Sequence, residues 1–564
     1  MRWEAKRIPN EDAISLLQNQ IGVSRNISVI LNQRGINNFD KAKSFFRPKL
    51  SHLYDPFLMK DMKFATDRIN KAIQNQEKIL IYGDYDVDGV ASTALLSSFL
   101  RQRTTNVFTY IPDRETEGYG ISFNGIEKAF KEGVSLIISI DCGITALQEI
   151  KYAKSNNIDF IICDHHLPKG KIPNAVAVLD PKRKDCKYPF KDLCGCGIGF
   201  KLIQALCLEW GVDTQHLIHY LDLVSLATAA DQVPLIEENR VITYLGLRQI
   251  NQNPRPGIRA LLSDLKEHEI SSSTLVFKLS PKINAAGRLK HANLALKLLL
   301  CEKTEDTVNL SEKIKSINTE RKEKDKKTTV EALKQIKERE EEFFSSTLVY
   351  NENWHPGVLG IVASRLIEKY YRPTIVLTKR HEYYIGSARS IKGFDIYNAL
   401  KQCNRLLEKF GGHKYAAGLK LHESNIELFR NEFEKFINKT ISENQKIKTS
   451  IYDLEISLSD LNINFFKIIK QMGPFGPNNV EPIFFTRNCT STSQTRSVGI
   501  EKKHLQLYVR SKNKTYRGIA FGRGHLVDQI KKSEGFDIYY SLEENTWSGN
   551  IKLELVIKDL IVKQ

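Results

Sequence analysis

Three short apolar runs end directly in acidic or imidazole residues: KILIYGDYD (78–86), SLIISIDCG (135–143) and DFIICDHH (159–166). Each is Ile-rich and shorter than a typical helix, so each reads as a buried strand. Between them lie the helical stretches ASTALLSSFLRQR (91–103) and TALQEIKYAKSNN (145–157). That rhythm specifies βαβ units and a parallel sheet. Ligands of such sheets bind outside the carboxyl ends of the strands. The acidic and imidazole groups fall at those ends.

Four clusters carry the chemistry. GDYDVDG supplies Asp84, Asp86 and Asp88, SIDCG supplies Asp141, ICDHH supplies Asp164, His165 and His166, and ATAADQVPL supplies Asp231. Carboxylates at i, i+2 and i+4 repel one another, and cations, protons or helix N-termini must offset that repulsion. A calcium loop would need a Glu at its twelfth position, and that spacing is missing. Two divalent ions satisfy the clusters together, and mixed Asp/His ligation suits Mn²⁺ or a similar metal. A metal pair about 3.5–4 Å apart clamps a phosphodiester and activates water at neutral pH. Metal-assisted phosphodiester hydrolysis is therefore the expected reaction.

The chain has 564 residues, enough for several domains, and a net charge of +17 that suits a polyanionic partner. Residues 288–355 contain neither Gly nor Pro. Within them Asp306–Glu342 reads as one exposed helix, roughly 55 Å long at 1.5 Å per residue, polar nearly all round and bridging two domains. A second mixed segment rich in glycine loops follows over 343–445. Residues 446–564 then give about five strands, which fits a small oligonucleotide-binding (OB) β-barrel. There Tyr508 and Arg510, Tyr516 and Arg517, and Phe521 and Arg523 interleave, without singling out a site. The nine scattered cysteines form no disulfide framework, and the lone Cys194-x-Cys196 pair reads as structural, with zinc binding the weaker alternative. No signal-peptide core or bilayer-length apolar run is visible, so a cytoplasmic protein without membrane contact is expected.

DYDVDG, IDCG, CDHH and AADQVPL together resemble the motifs of the DHH phosphoesterases. The segment order, with PKINAAGRL, HPGVLGIVASRL, GSARSIKGF, FGGHKYAAGL, PFGPNNVEPIF and the closing WSGN…LELVIKDL, resembles the RecJ-type exonucleases within that family. The likeness spans essentially the whole chain. It implies an α/β fold. An N-terminal segment and parallel-sheet DHH domain (1–300) would be joined by a long helix (301–342) to a DHH-associated α/β domain (343–445), followed by an OB-type β-barrel (446–564).

The resemblance also implies a centre of two Mn²⁺ or Mg²⁺ ions. Asp88, His165 and Asp231 would hold one, Asp86 with help from Asp84 the other, and Asp141 would bridge them. His166 would approach the scissile phosphate, with Asp164 orienting an imidazole. Many DHH proteins carry a metal-binding His where this chain has Tyr82, which puts the first ion's affinity in question rather than the activity. Arg114, Arg288, Ser387 and Arg389 sit in or beside glycine-containing loops that suit phosphate clamps. The resemblance gives Arg114, Ser387 and Arg389 to a 5′-terminal phosphate and Arg288 to a phosphate near the metals. His413 would contact substrate or order its loop.

The activity so implied is 5′→3′ hydrolysis of single-stranded DNA to 5′-mononucleotides by a monomer serving repair and recombination. Single-strand-binding protein and a helicase would be its partners. Two alternatives compete. A hydrolase of short oligoribonucleotides or cyclic dinucleotides would not need the added barrel, and an inactive replication scaffold would not retain all four clusters.

Overall fold

The computed structural model describes residues 2–511, 514–547 and 550–563. Ser548 and Gly549 of the WSGN motif lie outside the described residues. Contacts divide the chain into two compact units, one formed by residues 3–280 with 451–564 and the other chiefly by residues 281–450. The divisions fall at 280 and 450, where the sequence suggested 300 and 445.

In the first unit, helices α1 (Glu11–Ile21), α2 (Arg25–Asn32) and α3 (Phe39–Phe46) start at side-chain caps from Asn10, Ser24 and Asn38. A five-stranded parallel sheet follows: β1 (Ile79–Tyr82), β2 (Val107–Tyr110), β3 (Leu136–Ile140), β4 (Asp159–Cys163) and β5 (Ala177–Leu179), in the order β2-β1-β3-β4-β5. β1 and β3 are buried along their whole length, as central parallel strands should be. After β1 the chain crosses to one side and then returns to pair β3 on the other. The gap beyond the carboxyl ends of β1 and β3 is thus the topological switch point, where open α/β sheets bind ligands. Helices α4 (Val87–Leu100), α5 (Gly195–Glu209), α6 (Leu221–Ala230) and α7 (Glu237–Gln252) belong to the same part.

The longest helix of the second unit is α8 (Thr304–Glu338), 35 residues long. It is not exposed all round, as its composition suggested. Thr307, Ser311, Ile314, Asn318, Arg321, Asp325, Thr328, Ala332 and Ile336, three or four apart, form a buried stripe. Buried polar groups find local partners: Asp325 accepts from Arg365 (2.6 Å) and Arg321 (3.4 Å). Hydropathy misses such a stripe because polar side chains line it.

Strands β6 (Thr347–Tyr350), β7 (Thr374–Arg380), β8 (Tyr383–Arg389), β9 (Lys409–His413) and β10 (Ala416–His422) form a mixed sheet in the order β9-β10-β8-β7-β6. Successive side chains leave opposite faces of a strand. Leu348, Ile375 and Leu377 accordingly enter a core with Phe429, Phe433 and Ile437 of α10 (Ile426–Thr440). Val349 and Val376 enter another with Ala332 and Ile336 of α8 and Val362 and Leu366 of α9 (Leu359–Tyr370). α10 and α9 thereby cover the sheet from opposite faces.

The C-terminal strands are β11 (Leu454–Glu455), β12 (Phe484–Ser491), β13 (Arg496–Val498), β14 (His504–Ser511), β15 (Lys514–Ala520), β16 (Gly535–Trp547) and β17 (Asn550–Lys563), in the order β11-β12-β16-β17-β15-β14-β13. β12 also pairs with β14, which closes five strands into a pairing circuit. Two of the interleaved cations are engaged with carboxylates, Arg517 with Glu554 (2.9 Å) and Arg523 with Asp559 (3.0 Å). Ile14, Leu17, Ile27 and Val29 of the N-terminal helices share one core with Phe484, Leu507, Phe536 and Leu555. The chain's two ends are thus one folded body. Among the described residues no helix is long and apolar enough to cross a membrane.

Candidate metal centre and phosphate-binding residues

The turn after β1 is built on two close approaches. A Cβ at Gly83 would lie 1.9 Å from Thr93 Oγ1, and one at Gly89 would lie 2.5 Å from the backbone N and O of Asp84. Only glycine lets the strand end fold back onto the first turn of α4. Asp86 is the N-cap of α4 and accepts from the Gly89 N–H (3.1 Å). Asp88 therefore sits in the first helical turn. Both its oxygens meet the N-terminus of α5: the Gly195 N–H donates to Oδ2 (2.7 Å) and the Cys196 N–H to Oδ1 (2.8 Å). Asp141 follows β3 in a left-handed conformation, φ 63°.

These residues converge. Ligand atoms of Asp84, Asp86 and Asp141 lie within 4.8 Å of one another, as do those of Asp88, His165 and Asp231, and of Asp141, His165 and His166. His165 Nε2 is 3.1 Å from Asp141 and 3.9 Å from Asp88, and its Nδ1 is 3.7 Å from Asp231. Burial lowers the His165 pKa to about 4, which keeps the imidazole neutral and able to ligate. Burial and then repulsion from neighbouring carboxylates raise Asp84 and Asp141 well above the usual range. The same causes push Asp231 to about 8. Asp84 Oδ1 and His165 Nδ1 are buried without a hydrogen-bond partner. Crowded acids with orphaned donor atoms fit divalent cations.

Asp164 is buried outside this set and organises it. Its Oδ2 accepts from the Ile144 N–H (2.8 Å), and its Oδ1 from the His165 N–H (2.7 Å), the His166 N–H (3.1 Å) and the His166 ring at Nδ1 (2.7 Å). Burial alone would raise this carboxyl, but the His166 hydrogen bond and charge and the backbone donors outweigh it and hold it below the usual range. Tyr82 turns away from the cluster. Its hydroxyl donates to Gly120 O (3.2 Å) and accepts from the Ser122 N–H (3.0 Å). Arg114 rests over the Tyr85 ring, 4.9 Å from its centroid.

The other proposed phosphate contacts belong to the second unit. Arg389 donates to Ser387 Oγ (2.8 Å) and to Ala388 O (2.9 Å). A Cβ at Gly360, in the first turn of α9, would lie 2.6 Å from Arg389 Nη2 and 3.1 Å from Ser387 Oγ. His413 pairs with Ala416, which pairs with Arg389, so His413 and Arg389 share one row across three strands. Arg288 donates to Gly357 O (3.3 Å), just before α9. Ser387, Arg389 and Arg288 thus gather about the N-terminal end of α9, a place that favours anions.

The sequence reading missed two features. One is the α5 N-terminus under Asp88, announced only by the glycines of CGCGIG. The other is Tyr119, whose hydroxyl lies 3.2 Å from His166 Nε2. An EGYG stretch signals a turn, not the direction of its aromatic.

Comparison with known proteins matches three family models: "DHH family, N-terminal domain" over residues 78–228, "DHHA1 domain" over 341–439 and "RecJ OB domain" over 452–559. The chain is 36% identical to the single-stranded-DNA-specific exonuclease RecJ of Bacillus subtilis, covering 100% of this chain and 71% of that protein. It is 32% identical to the Escherichia coli protein of the same name, covering 88% and 89%. Among solved structures, RecJ of Thermus thermophilus in complex with Mn²⁺ superposes with a TM-score of 0.86 at 26% identity, over 99% of this chain and 79% of that one.

Proposed function

We proceed from the fact that this chain belongs to the RecJ family of single-stranded-DNA-specific exonucleases, and we propose how its residues carry out that activity. It is a metal-dependent exonuclease on single-stranded DNA, working with Mn²⁺ or Mg²⁺. The observation that carries the chemistry is the set of three ligand groups linked by Asp141 and His165 at the switch point. Asp88, His165 and Asp231 would hold one ion and Asp84 and Asp86 the other, with Asp141 common to both. Bound there, two divalent ions would polarise the phosphodiester and supply an activated water.

The protein's own groups do the rest. The α5 N-terminus holds Asp88 by two N–H donors, so one ligand is fixed before any ion arrives. Asp164 holds His166 by Nδ1, which leaves Nε2 to face the scissile phosphate. Ser387 and Arg389, and by the resemblance Arg114, would bind a 5′-terminal phosphate. Arg288 would hold a phosphate nearer the metals, and His413 would contact the substrate from the Arg389 row. A terminal phosphate carries more charge than an internal one, so such a grip selects ends. It supports 5′→3′ polarity with release of 5′-mononucleotides.

We further propose a cytoplasmic monomer in DNA repair and recombination, fed by partners that unwind or hold single strands, such as a helicase or single-strand-binding protein. End-labelled single-stranded DNA and RNA incubated with Mn²⁺ test the reading through product sizes over time. Mononucleotides should appear first from the 5′ end of DNA, and Asp141→Ala should leave less than about a hundredth of the activity. Shortening from the 3′ end, or RNA degraded as fast as DNA, would refute it.

A further inference from the structure

Tyr119 belongs to neither the metal ligands nor the phosphate contacts. We propose that Tyr119 is a positioning residue whose hydroxyl holds the His166 imidazole in place at the scissile phosphate.

The hydroxyl lies 3.2 Å from His166 Nε2, 3.3 Å from Nδ1 and 3.4 Å from the Asp141 carbonyl oxygen. Asp164 secures the imidazole at Nδ1 only. One hydrogen bond leaves the ring free to tilt about that contact, and a second partner fixes its plane. Nearly equidistant from the two ring nitrogens, the hydroxyl rests against the face of the imidazole, where it blocks tilting and leaves the in-plane edge of Nε2 open toward the phosphate. The two rings also meet edge to face, with centroids 5.8 Å apart, and the far side of Tyr119 meets Tyr85 at 6.4 Å.

The backbone is arranged to deliver this side chain. Gly118 and Gly120 flank Tyr119 with φ of 84° and 89°, values that other L-residues rarely adopt. A Cβ at either glycine would meet nothing within 4 Å, so conformation rather than crowding requires glycine there. Tyr82 pins the loop by its bonds to Gly120 and Ser122. Tyr110 pins it further upstream by donating to Glu117 (2.8 Å). Tyr82, which stands where many DHH proteins place a metal-binding His, thus anchors the loop that carries Tyr119. Core packing does not explain Tyr119 itself, because the residue is 55% exposed. An aromatic residue that open to solvent, yet aimed by two left-handed glycines at the half-buried imidazole of His166, serves the site rather than the fold.

The inference rests on the proposed place of His166 at the scissile phosphate. It is tested by a double-mutant cycle of Tyr119→Phe, His166→Ala and the double variant, assayed on 5′-labelled single-stranded DNA with saturating Mn²⁺. Tyr119→Phe should lower kcat about tenfold, the scale of one hydrogen bond to a charged or polar partner, with KM changed by less than about twofold. The double variant should be no slower than His166→Ala alone, because Tyr119 acts only through His166. Calorimetry should give the same Mn²⁺ affinity for Tyr119→Phe as for wild type. Independent, multiplying losses would overturn the proposal, as would a loss confined to KM or a weakened Mn²⁺ affinity, which would place the effect at Asp141. A wild-type protein inactive on single-stranded DNA would sink the functional reading itself and this inference with it. An active wild type with an additive cycle would sink the inference alone.

Discussion

Replacing Gly195 by Ala adds one methyl group beneath the metal cluster. Built on the observed backbone, its Cβ would lie 2.6 Å from Asp141 Cβ, 2.8 Å from Asp141 Cα and 2.9 Å from Asp141 Oδ1. Favourable carbon–carbon contact begins near 3.5 Å, so about 0.9 Å of room must be found. Asp141 yields little, being buried, held at φ 63° and tied by its N–H to Cys163 O (2.9 Å). Gly195 is tied on the other side, its N–H donating to Asp88. The movement therefore separates the carboxylates of Asp88 and Asp141. Overpacking of this kind costs about 1–3 kcal/mol, which a domain of this size survives. A misplacement of about 1 Å costs a reaction about 10²-fold. Gly195→Ala should thus stay folded by circular dichroism, bind Mn²⁺ more weakly by calorimetry and hydrolyse labelled single-stranded DNA about a hundredfold more slowly. Activity within about threefold of wild type would refute the argument, since a 1 Å shift at two proposed ligands could not be that mild.

Arg389→Ala should raise KM for 5′-phosphorylated strands more than for 5′-hydroxyl strands, with a smaller change in kcat; an unchanged preference between the two ends would remove Arg389 as an end sensor. A chain ending at residue 445 should bind a hydrophobic dye and melt earlier, because Ile14, Leu17 and Ile27 lose the strands they pack against; removal of residues 1–46 as well should reduce the dye binding, and a truncated chain that melts like wild type would contradict the shared core. The metal-free protein should lose stability as pH rises from about 4 toward 8, since carboxyls such as Asp231, with folded pKa values raised above the unfolded value, bind protons in the folded state that the unfolded chain has already lost. Mn²⁺ replaces those protons, so its stabilising shift in melting temperature should grow over the same range, and a shift independent of pH would argue against Asp231 as a ligand.

The strand ends were legible because burial and chemistry meet there. ILIY, LIISI and DFIIC have apolar runs too short for helices, and a carboxylate follows each run within two residues, where the chain leaves the sheet. The burial of α8 was not legible, since its inner stripe is polar and hydropathy sees only an exposed helix. Nor was the joint core of α1–α3 with the C-terminal strands, because periodicity tells which face of a helix is buried but not its partner some 450 residues away. At the site, acids could be found by type and spacing. The N–H groups of Gly195 and Cys196 could not, since backbone donors leave no mark on composition. Tyr119 escaped for a related reason: aromatics are common, and its direction is set by two glycine dihedrals that a sequence does not display.

The centre's order of assembly follows from where its charge is already balanced. Asp88 has two backbone donors at a helix N-terminus, and Asp164 has three backbone donors and an imidazole. Those donors outweigh burial at Asp164, but at Asp88 burial still leaves the carboxyl above its usual range. Asp84 and Asp141 lack comparable compensation, and their pKa values lie well above the usual range. Without cations they are held by protons, and each ion that enters must displace them. The protein therefore presents a rigid half, built from strand ends and the α5 N-terminus, and a proton-filled half that only a divalent ion can charge. In this arrangement a single neutralising substitution need not be damaging to the fold. Asp141→Asn would relieve repulsion in the metal-free protein and should raise its melting temperature while abolishing hydrolysis. Destabilisation by that change would mean that Asp141 is ionised and already compensated without metal, contrary to the crowding from which its role is argued.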